Sequence, residues 1–198
     1  MVMEKLTVNP AKVHGRYVYH AVKRLFDIIA SAIGLILLSP LFLFLVIKIR
    51  SEDGGPAFYS QERIGKNEKP FKMWKFRSMV VNADQMIDQL EDQNEIEGAM
   101  FKIKDDPRIT KIGHTIRKYS LDELPQLWNV LIGDMSLVGP RPPLPSEVEE
   151  YTDYDKQRLL VMPGCTGLWQ VTKRNEADFD EMVWLDIVYI NHSGILED

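Results

Sequence analysis

Two adjacent carboxylates, Asp122 and Glu123, sit two residues ahead of Pro125 in the stretch Ser120–Pro142. Proline is accepted in the first turn of a helix and disruptive in its interior. A helix through Leu124–Leu131 is therefore expected to begin near Asp122, with both acids at its positive end. That end favours anions and also attracts phosphate. Consecutive helical residues do not face each other, which argues against a shared proton and for two jobs. One carboxylate would serve as nucleophile, its neighbour as metal ligand or base. Ser120-Leu-Asp-Glu123 also fits a capping box, in which Glu123 folds back on the Ser120 amide. Capping from Ser120 puts Pro125 at the fifth helical position, where its ring begins to clash. On these four residues alone both readings stand.

Arg117 lies five residues before Asp122, and Arg141 is fixed between Pro140 and Pro142. A guanidinium stays charged and can bind two phosphate oxygens at once. Flanking prolines lower the cost of holding it in place. Taken alone, Pro-Arg-Pro reads as a solvated loop arginine.

The elements that must position these groups begin after a polar arm, residues 1–22, with a short helix expected from Tyr17. Lys23-Arg24-Leu-Phe-Asp27 leads into Ile28–Ile47, twenty residues without a charge. That is enough to cross a bilayer as a straight helix. The run is too long and starts too late for a signal peptide, and no clear cleavage site accompanies it. Ser39-Pro40 interrupts it; proline removes a backbone hydrogen bond, and Ser39 can satisfy the freed carbonyl. Basic residues flank both ends, Lys23 and Arg24 before, Lys48 and Arg50 after, so the positive-inside rule keeps both ends in the cytoplasm. A broken helix that enters and leaves by one leaflet satisfies both facts.

Beyond a Gly-Gly loop at 51–56, Ala57–Ile64 and Phe71–Met79 are β-prone runs joined by Gly65–Pro70, a hairpin in which Lys75 and Arg77 share one face. Asn82–Glu97 reads as an acidic surface helix with Met86, Ile87 and Leu90 at helical spacing, and Asp105–Thr110 as a loop. Ile112–Tyr119 is a helical turn that brings Arg117 toward the acids. Glu147–Leu160 reads as an amphipathic helix, Leu168–Thr172 as a short strand and Phe179–Asn191 as a last helix.

Composition narrows the function. A chain of 198 residues can hold one domain with a real core. A net charge of −5 argues against general nucleic-acid binding. One cysteine, Cys165, excludes an internal disulfide and a thiolate metal cluster, and the four histidines lack metal-ligand spacing. Gly65-Lys66 has neither the upstream glycine nor the Ser/Thr of a P-loop. Asp153-Tyr-Asp155 suggests a metal-dependent glycosyltransferase only weakly, without the alternating strands and helices of a nucleotide-sugar domain.

The Asp-Glu pair followed by Gly139-Pro-Arg-Pro142 resembles the bacterial sugar transferase family, the polyprenyl-phosphate hexose-1-phosphate transferases, also called monotopic phosphoglycosyl transferases. The resemblance runs from about Lys23 to Tyr189 and takes in Lys75-Phe-Arg-Ser-Met79 and Pro163-Gly-Cys-Thr-Gly-Leu-Trp-Gln-Val171. It implies an α+β, mostly helical monotopic membrane domain with a re-entrant helix (23–50), a small hairpin and a cytosolic catalytic part (51–198) folded together with that helix. It also implies transfer of a hexose-1-phosphate from a UDP-sugar to undecaprenyl phosphate at the cytoplasmic face of a bacterial plasma membrane, the step that initiates exopolysaccharide or capsule assembly. UMP would leave and an aspartyl-phosphosugar would form on Asp122. Glu123 would hold Mg²⁺, while Arg117, Arg141, Lys75 and Arg77 meet phosphate. Asp186 is expected to return to Lys23 or Arg24 as an ion pair. Self-association is open.

Three departures from the family pattern stand out: Glu68 where the hairpin turn usually carries a second glycine, Lys173 where a glycine is expected, and a short carboxyl end, Asn191–Asp198. The last keeps an alternative alive, a truncated non-catalytic membrane scaffold for glycan-assembly enzymes.

Overall fold

The computed structural model describes residues 6–86, 103, 106–173, 177–194 and 198. Helix α1 (Pro10–His14) precedes the long helix α2 (Tyr17–Asp53), which leads to a hairpin of β1 (Phe58–Ile64) and β2 (Pro70–Phe76). Then come α3 (Lys111–Lys118), a 3-10 turn Leu121–Glu123, α4 (Gln126–Ile132) and β3 (Ser136–Val138). The chain continues through α5 (Pro145–Glu149), a 3-10 segment Asp155–Leu160, β4 (Gly164–Thr166), α6 (Leu168–Thr172) and α7 (Phe179–His192). The protein is α+β, mostly helical, with a long apolar N-terminal helix and a small hairpin.

Helix α2 starts at Tyr17 rather than Lys23 and runs to Asp53 with Pro40 inside it. Proline has no N–H to offer the carbonyl four residues back. Here that carbonyl belongs to Ile36, and the Ser39 hydroxyl donates to it at 2.7 Å. The helix is long and apolar enough to cross a membrane by length and composition. Only 11 % of its most apolar window is buried, unlike the core helix of a soluble domain.

Contacts sort the chain into two compact units. One comprises Met1–Leu35, Glu62–Met73 and Gln126–Asp198; the other comprises Ile36–Gln61 and Trp74–Pro125. This grouping cuts across the expected arm, helix and catalytic part, because α2 and both hairpin strands contribute to each unit.

In the second unit, Leu45 and Ile49, one turn apart on the same face of α2, pack with Ala57, Phe76 and Ile116. The Phe76 ring meets Phe42 edge-on and stacks on Phe58. Fully burying each such side chain contributes about 1.5–3 kcal/mol. Past β2 the chain pairs with the segment ahead of α3: Val80 donates to the Arg108 carbonyl and Thr110 to that of Ser78. The Thr110 hydroxyl and the Glu52 carboxylate then accept the free amides of the first turn of α3. Gly113 is required there, since a Cβ would overlap the Ser78 carbonyl.

In the first unit, one cluster joins Val8 and Val13 to Val183, Ile187 and Ile190 of α7, and another joins Met73, Val130 and Met135. Strands β3 and β4 pair in parallel, Ser136 opposite Gly164 and Val138 opposite Thr166.

Three sequence expectations need correction. Leu168–Thr172 is a helix, not a strand; its β-prone residues follow the extended Gly167, and the strand is the preceding Gly164–Thr166. Glu147–Leu160 is not one helix, because Thr152 and Asp155 bond each other's side chains and amides (2.7–3.4 Å) and close a local turn that competes with helix continuation. Of the surface helix expected over Asn82–Glu97, Asn82 lies in a turn and Ala83–Met86 form a 3-10 turn, while residues 87–97 lie outside the described residues, as does Asp105.

Candidate active site

Helix α3 delivers the acids. At its end Ser120 adopts a left-handed backbone (φ 53°, ψ 25°) and its amide donates to the Arg117 carbonyl at 3.1 Å. This is how helices commonly stop. The Ser120 side chain makes no capping bond, so the capping-box alternative is not formed. The chain enters the 3-10 turn Leu121–Glu123, closed by Glu123 N–H to the Ser120 carbonyl and Leu124 N–H to that of Leu121. The acids therefore ride on a 3-10 turn ahead of Pro125, not in the first turn of the helix that follows, which begins at Gln126. Pro125 cannot donate to the Leu121 carbonyl, and the tighter bond from Leu124 takes that acceptor.

Within this unit the structure brings together Asp122, Glu123, Lys75 and Arg117. The Lys75 ammonium lies 3.0 Å from Glu123 Oε1. Asp122 is half-buried, and burial pushes its carboxyl above the usual carboxylate range. Lys75 and Arg117 pull it back down, while the Glu123 charge adds to the rise. Glu123 and Arg117 are exposed. Asp122 and Glu123 thus occupy different environments and can divide their roles.

Arg141 belongs to the other unit. It is exposed between buried prolines, Pro140 on one side and Pro142 and Pro143 on the other. The carbonyls of those prolines accept, in turn, from Gly164 N–H (2.8 Å), Arg63 Nη1 (3.2 Å) and Ile64 N–H (3.0 Å). Gly139 donates to the Thr166 carbonyl at 2.8 Å, and a Cβ on Gly164 would overlap the Gly139 nitrogen. The loop backbone is thus fixed, and the Arg141 guanidinium makes no hydrogen bond or ion pair among the described residues.

Arg77, expected to meet phosphate, is instead a structural residue. It is 7 % exposed, grips both oxygens of Asp53 and donates to the Pro56 and Met79 carbonyls. Four of its donors are taken, and burial favours keeping them taken. The pair expected between Asp186 and Lys23 or Arg24 is also not formed. Asp186 is fully buried against Arg158, whose other terminal nitrogen reaches the Tyr151 hydroxyl. Burial raises the Asp186 carboxyl to about 6 against the pull of Arg158. Lys23 pairs with Asp198 at 2.8 Å, and Arg24 donates to the Val130 and Leu131 carbonyls near the end of α4. Asp186 pairs with Arg158 because a buried carboxylate needs a desolvated partner, and that arginine is 6 % exposed.

Sequence reasoning missed Arg63, Asp53 and Glu52, which hold the Pro142 carbonyl, Arg77 and the start of α3. Their partners lie 24 to 79 positions away, beyond any local spacing rule. Asp106 and Arg108 are two residues apart and form a buried pair; that spacing in Asp106-Pro-Arg108 was a readable signal.

Comparison with known proteins bears on this site. The chain matches the Bacterial sugar transferase family over residues 18–198. It is 52 % identical over 184 residues to the galactosyl transferase CpsE of Streptococcus agalactiae serotype III, covering 92 % of this chain and 41 % of the relative. It is 45 % identical to the undecaprenyl-phosphate galactose phosphotransferase of Salmonella typhimurium, covering 100 % of this chain and 41 % of that protein. The exopolysaccharide production protein ExoY of Rhizobium meliloti is 41 % identical over 180 residues, 89 % of this chain and 80 % of its own length. The chain spans about two-fifths of the length of the first two relatives. With the match extending from the start of α2 through the acids and the Pro-Arg-Pro loop to Asp198, the chain belongs to the bacterial sugar transferase family.

Proposed function

We propose that the chain transfers a hexose-1-phosphate from a UDP-sugar to undecaprenyl phosphate and releases UMP, at the cytoplasmic face of a bacterial plasma membrane. The observation that carries this reading is the half-buried Asp122 beside Glu123, under the influence of Lys75 and Arg117. An Asp122 oxygen attacks the β-phosphorus of the donor. The bond from that phosphorus to the bridging oxygen breaks, and UMP departs with the electron pair. A phosphate oxygen of the lipid then attacks the same phosphorus, the bond to Asp122 breaks, and the carboxylate is regenerated. Covalent catalysis divides one hard displacement into two easier ones. Arg117 binds phosphate oxygens beside the acids, Arg141 is given a phosphate by the family resemblance alone, and Lys75 orients Glu123 while adding positive charge where phosphates crowd.

The donor set suits Mg²⁺. Glu123 spends Oε1 on Lys75 and keeps Oε2 unpartnered among the described residues, and no group of three or more metal-ligating side chains occurs among them. Mg²⁺ typically takes one or two carboxylates and completes its shell with waters and substrate phosphates. When bound, it supplies charge neutralisation at the departing phosphate. The named activity of the relatives on galactose puts UDP-galactose first among donors to test. Exopolysaccharide production, named for the two ExoY relatives, suggests the pathway.

The test uses the chain in nanodiscs with undecaprenyl phosphate, Mg²⁺ and a panel of UDP-sugars. Lipid-dependent UMP release that Asp122→Asn abolishes is the expected result. Release of UDP would mean glycosyl transfer and overturn the proposal. Silence with every donor would favour a non-catalytic scaffold.

A further inference from the structure

The first unit encloses a cavity of about 200 Å³ that the transfer chemistry does not use. Among its lining residues, Arg16, Lys23, Arg24 and Lys66 are cationic and Asp27 alone is acidic. Asp27 is buried and spends one oxygen on the Leu137 amide at 3.0 Å. Lys23 is answered by Asp198, but Arg16 and Arg24 rest on carbonyls and a hydroxyl, with no ion pair among the described residues. Lys66 is half-buried, and its ammonium has no hydrogen bond or ion pair among the described residues. The cavity therefore keeps an excess of positive charge in a partly desolvated setting, where charge acts more strongly than in water.

Two further observations point to an anion. Ser136 lines the cavity, is 2 % exposed, and its hydroxyl has no partner among the described residues. Buried hydroxyls are almost always hydrogen-bonded, so an orphan marks a missing acceptor or water. Moreover, two tyrosines of the same wall already bind an oxyanion with Lys23: Tyr19, Tyr189 and Lys23 converge on the Asp198 carboxylate at 2.5–2.8 Å. The chemistry of the wall, ammonium, guanidinium and hydroxyl donors around a small volume, matches a phosphate better than any neutral or cationic ligand.

We propose that this cavity binds a small phosphate dianion, a phosphomonoester or a diphosphate, with Lys66 as its direct donor. The inference does not rest on the transfer reaction. None of the cavity's lining residues has a part in the proposed transfer.

The test is pyrophosphate titration of the full chain by calorimetry, in phosphatidylcholine nanodiscs without Mg²⁺, so that a metal-dependent phosphate site stays silent. Wild type and Asp122→Asn should bind alike. Lys66→Ala should weaken binding at least tenfold, Ser136→Ala should weaken it less, and Lys66→Arg should restore most of the affinity. Lys66 lies on the hairpin turn outside the core, so its substitution leaves the fold intact, and an unchanged melting temperature without ligand checks this. A second arm adds phosphatidic acid to the nanodiscs. Loss of pyrophosphate affinity there, dependent on Lys66, would identify a lipid phosphate as the natural source; retained affinity would identify a soluble one. Binding that ignores Lys66→Ala, binding that disappears in Asp122→Asn, or no pyrophosphate binding at all would each overturn the proposal.

Discussion

At the scale of single residues, the proposed attack on phosphorus requires an ionised Asp122, yet burial holds its carboxyl above the usual carboxylate range. The acid limb of kcat/KM against pH reports that ionisation in the free enzyme. It should therefore lie above the value for an ordinary aspartate, with activity lost as pH falls through it. Lys75 lowers the Asp122 carboxyl, so Lys75→Met should move the limb further up; an unmoved or lowered limb would contradict the electrostatic role. The buried pair of Arg158 and Asp186 gives a stability prediction of the opposite kind. Asp186→Ala leaves a buried guanidinium uncompensated and should cost about 3–5 kcal/mol in urea unfolding. The double variant Asp186→Leu with Arg158→Met should recover most of that loss, and a double variant as unstable as the single one would show that the charges themselves are required. That Arg117 comes near the acids was legible, because it sits near the end of a short helix, five residues ahead of Asp122; that the acids ride on a 3-10 turn was not. The role of Arg77 was not, since strand alternation gives its face but not the presence of Asp53 across 24 positions.

At the scale of elements, the hairpin, α2, α3 and α7 were legible from hydrophobic periodicity and punctuation. The paired strands β3 and β4 were not, because three residues each is too short for alternation to register. Helix α6 shows tertiary context overriding β-prone residues. The hairpin turn carries a specific strain that the sequence did flag. Asn67 and Glu68 both adopt left-handed backbone, φ 56° and 59°. Asparagine tolerates that region, but glutamate pays a steric cost of about 1–2 kcal/mol. The only ion pair of Glu68 among the described residues is a long, exposed contact with Lys156 at 4.0 Å, which offsets little. Glu68→Gly relieves the strain and gives back part of the gain as chain entropy in the unfolded state. The net expectation is a stabilisation of about 0.5–1 kcal/mol, read as a higher urea midpoint at unchanged slope. A lower midpoint would mean that the Glu68 side chain contributes more than its backbone costs.

At the scale of the whole molecule, the question is how α2 meets the membrane. Leu25, Phe26, Ile33, Ile36, Leu37 and Leu43 are each more than half exposed, an apolar surface that water would penalise and lipid would cover. A helix of 37 residues exceeds what a straight span of the hydrocarbon core requires. Its ends argue for a single side. Arg16, Lys23 and Arg24 precede the apolar run, and Lys48 and Arg50 follow it. Spanning would carry one of these basic clusters across against the positive-inside rule. A dip into one leaflet avoids this, and Pro40, with its lost bond made good by Ser39, sits where such a turn-back would need the helix to yield. Single cysteines at Val18 and Ser51, both exposed, test the idea after Cys165 is replaced by alanine. In sealed vesicles of known orientation a membrane-impermeant maleimide should label both positions from the cytoplasmic side and neither from the other. Labelling of the two from opposite sides would make α2 a spanning helix, and the charge argument for one leaflet would fail with it.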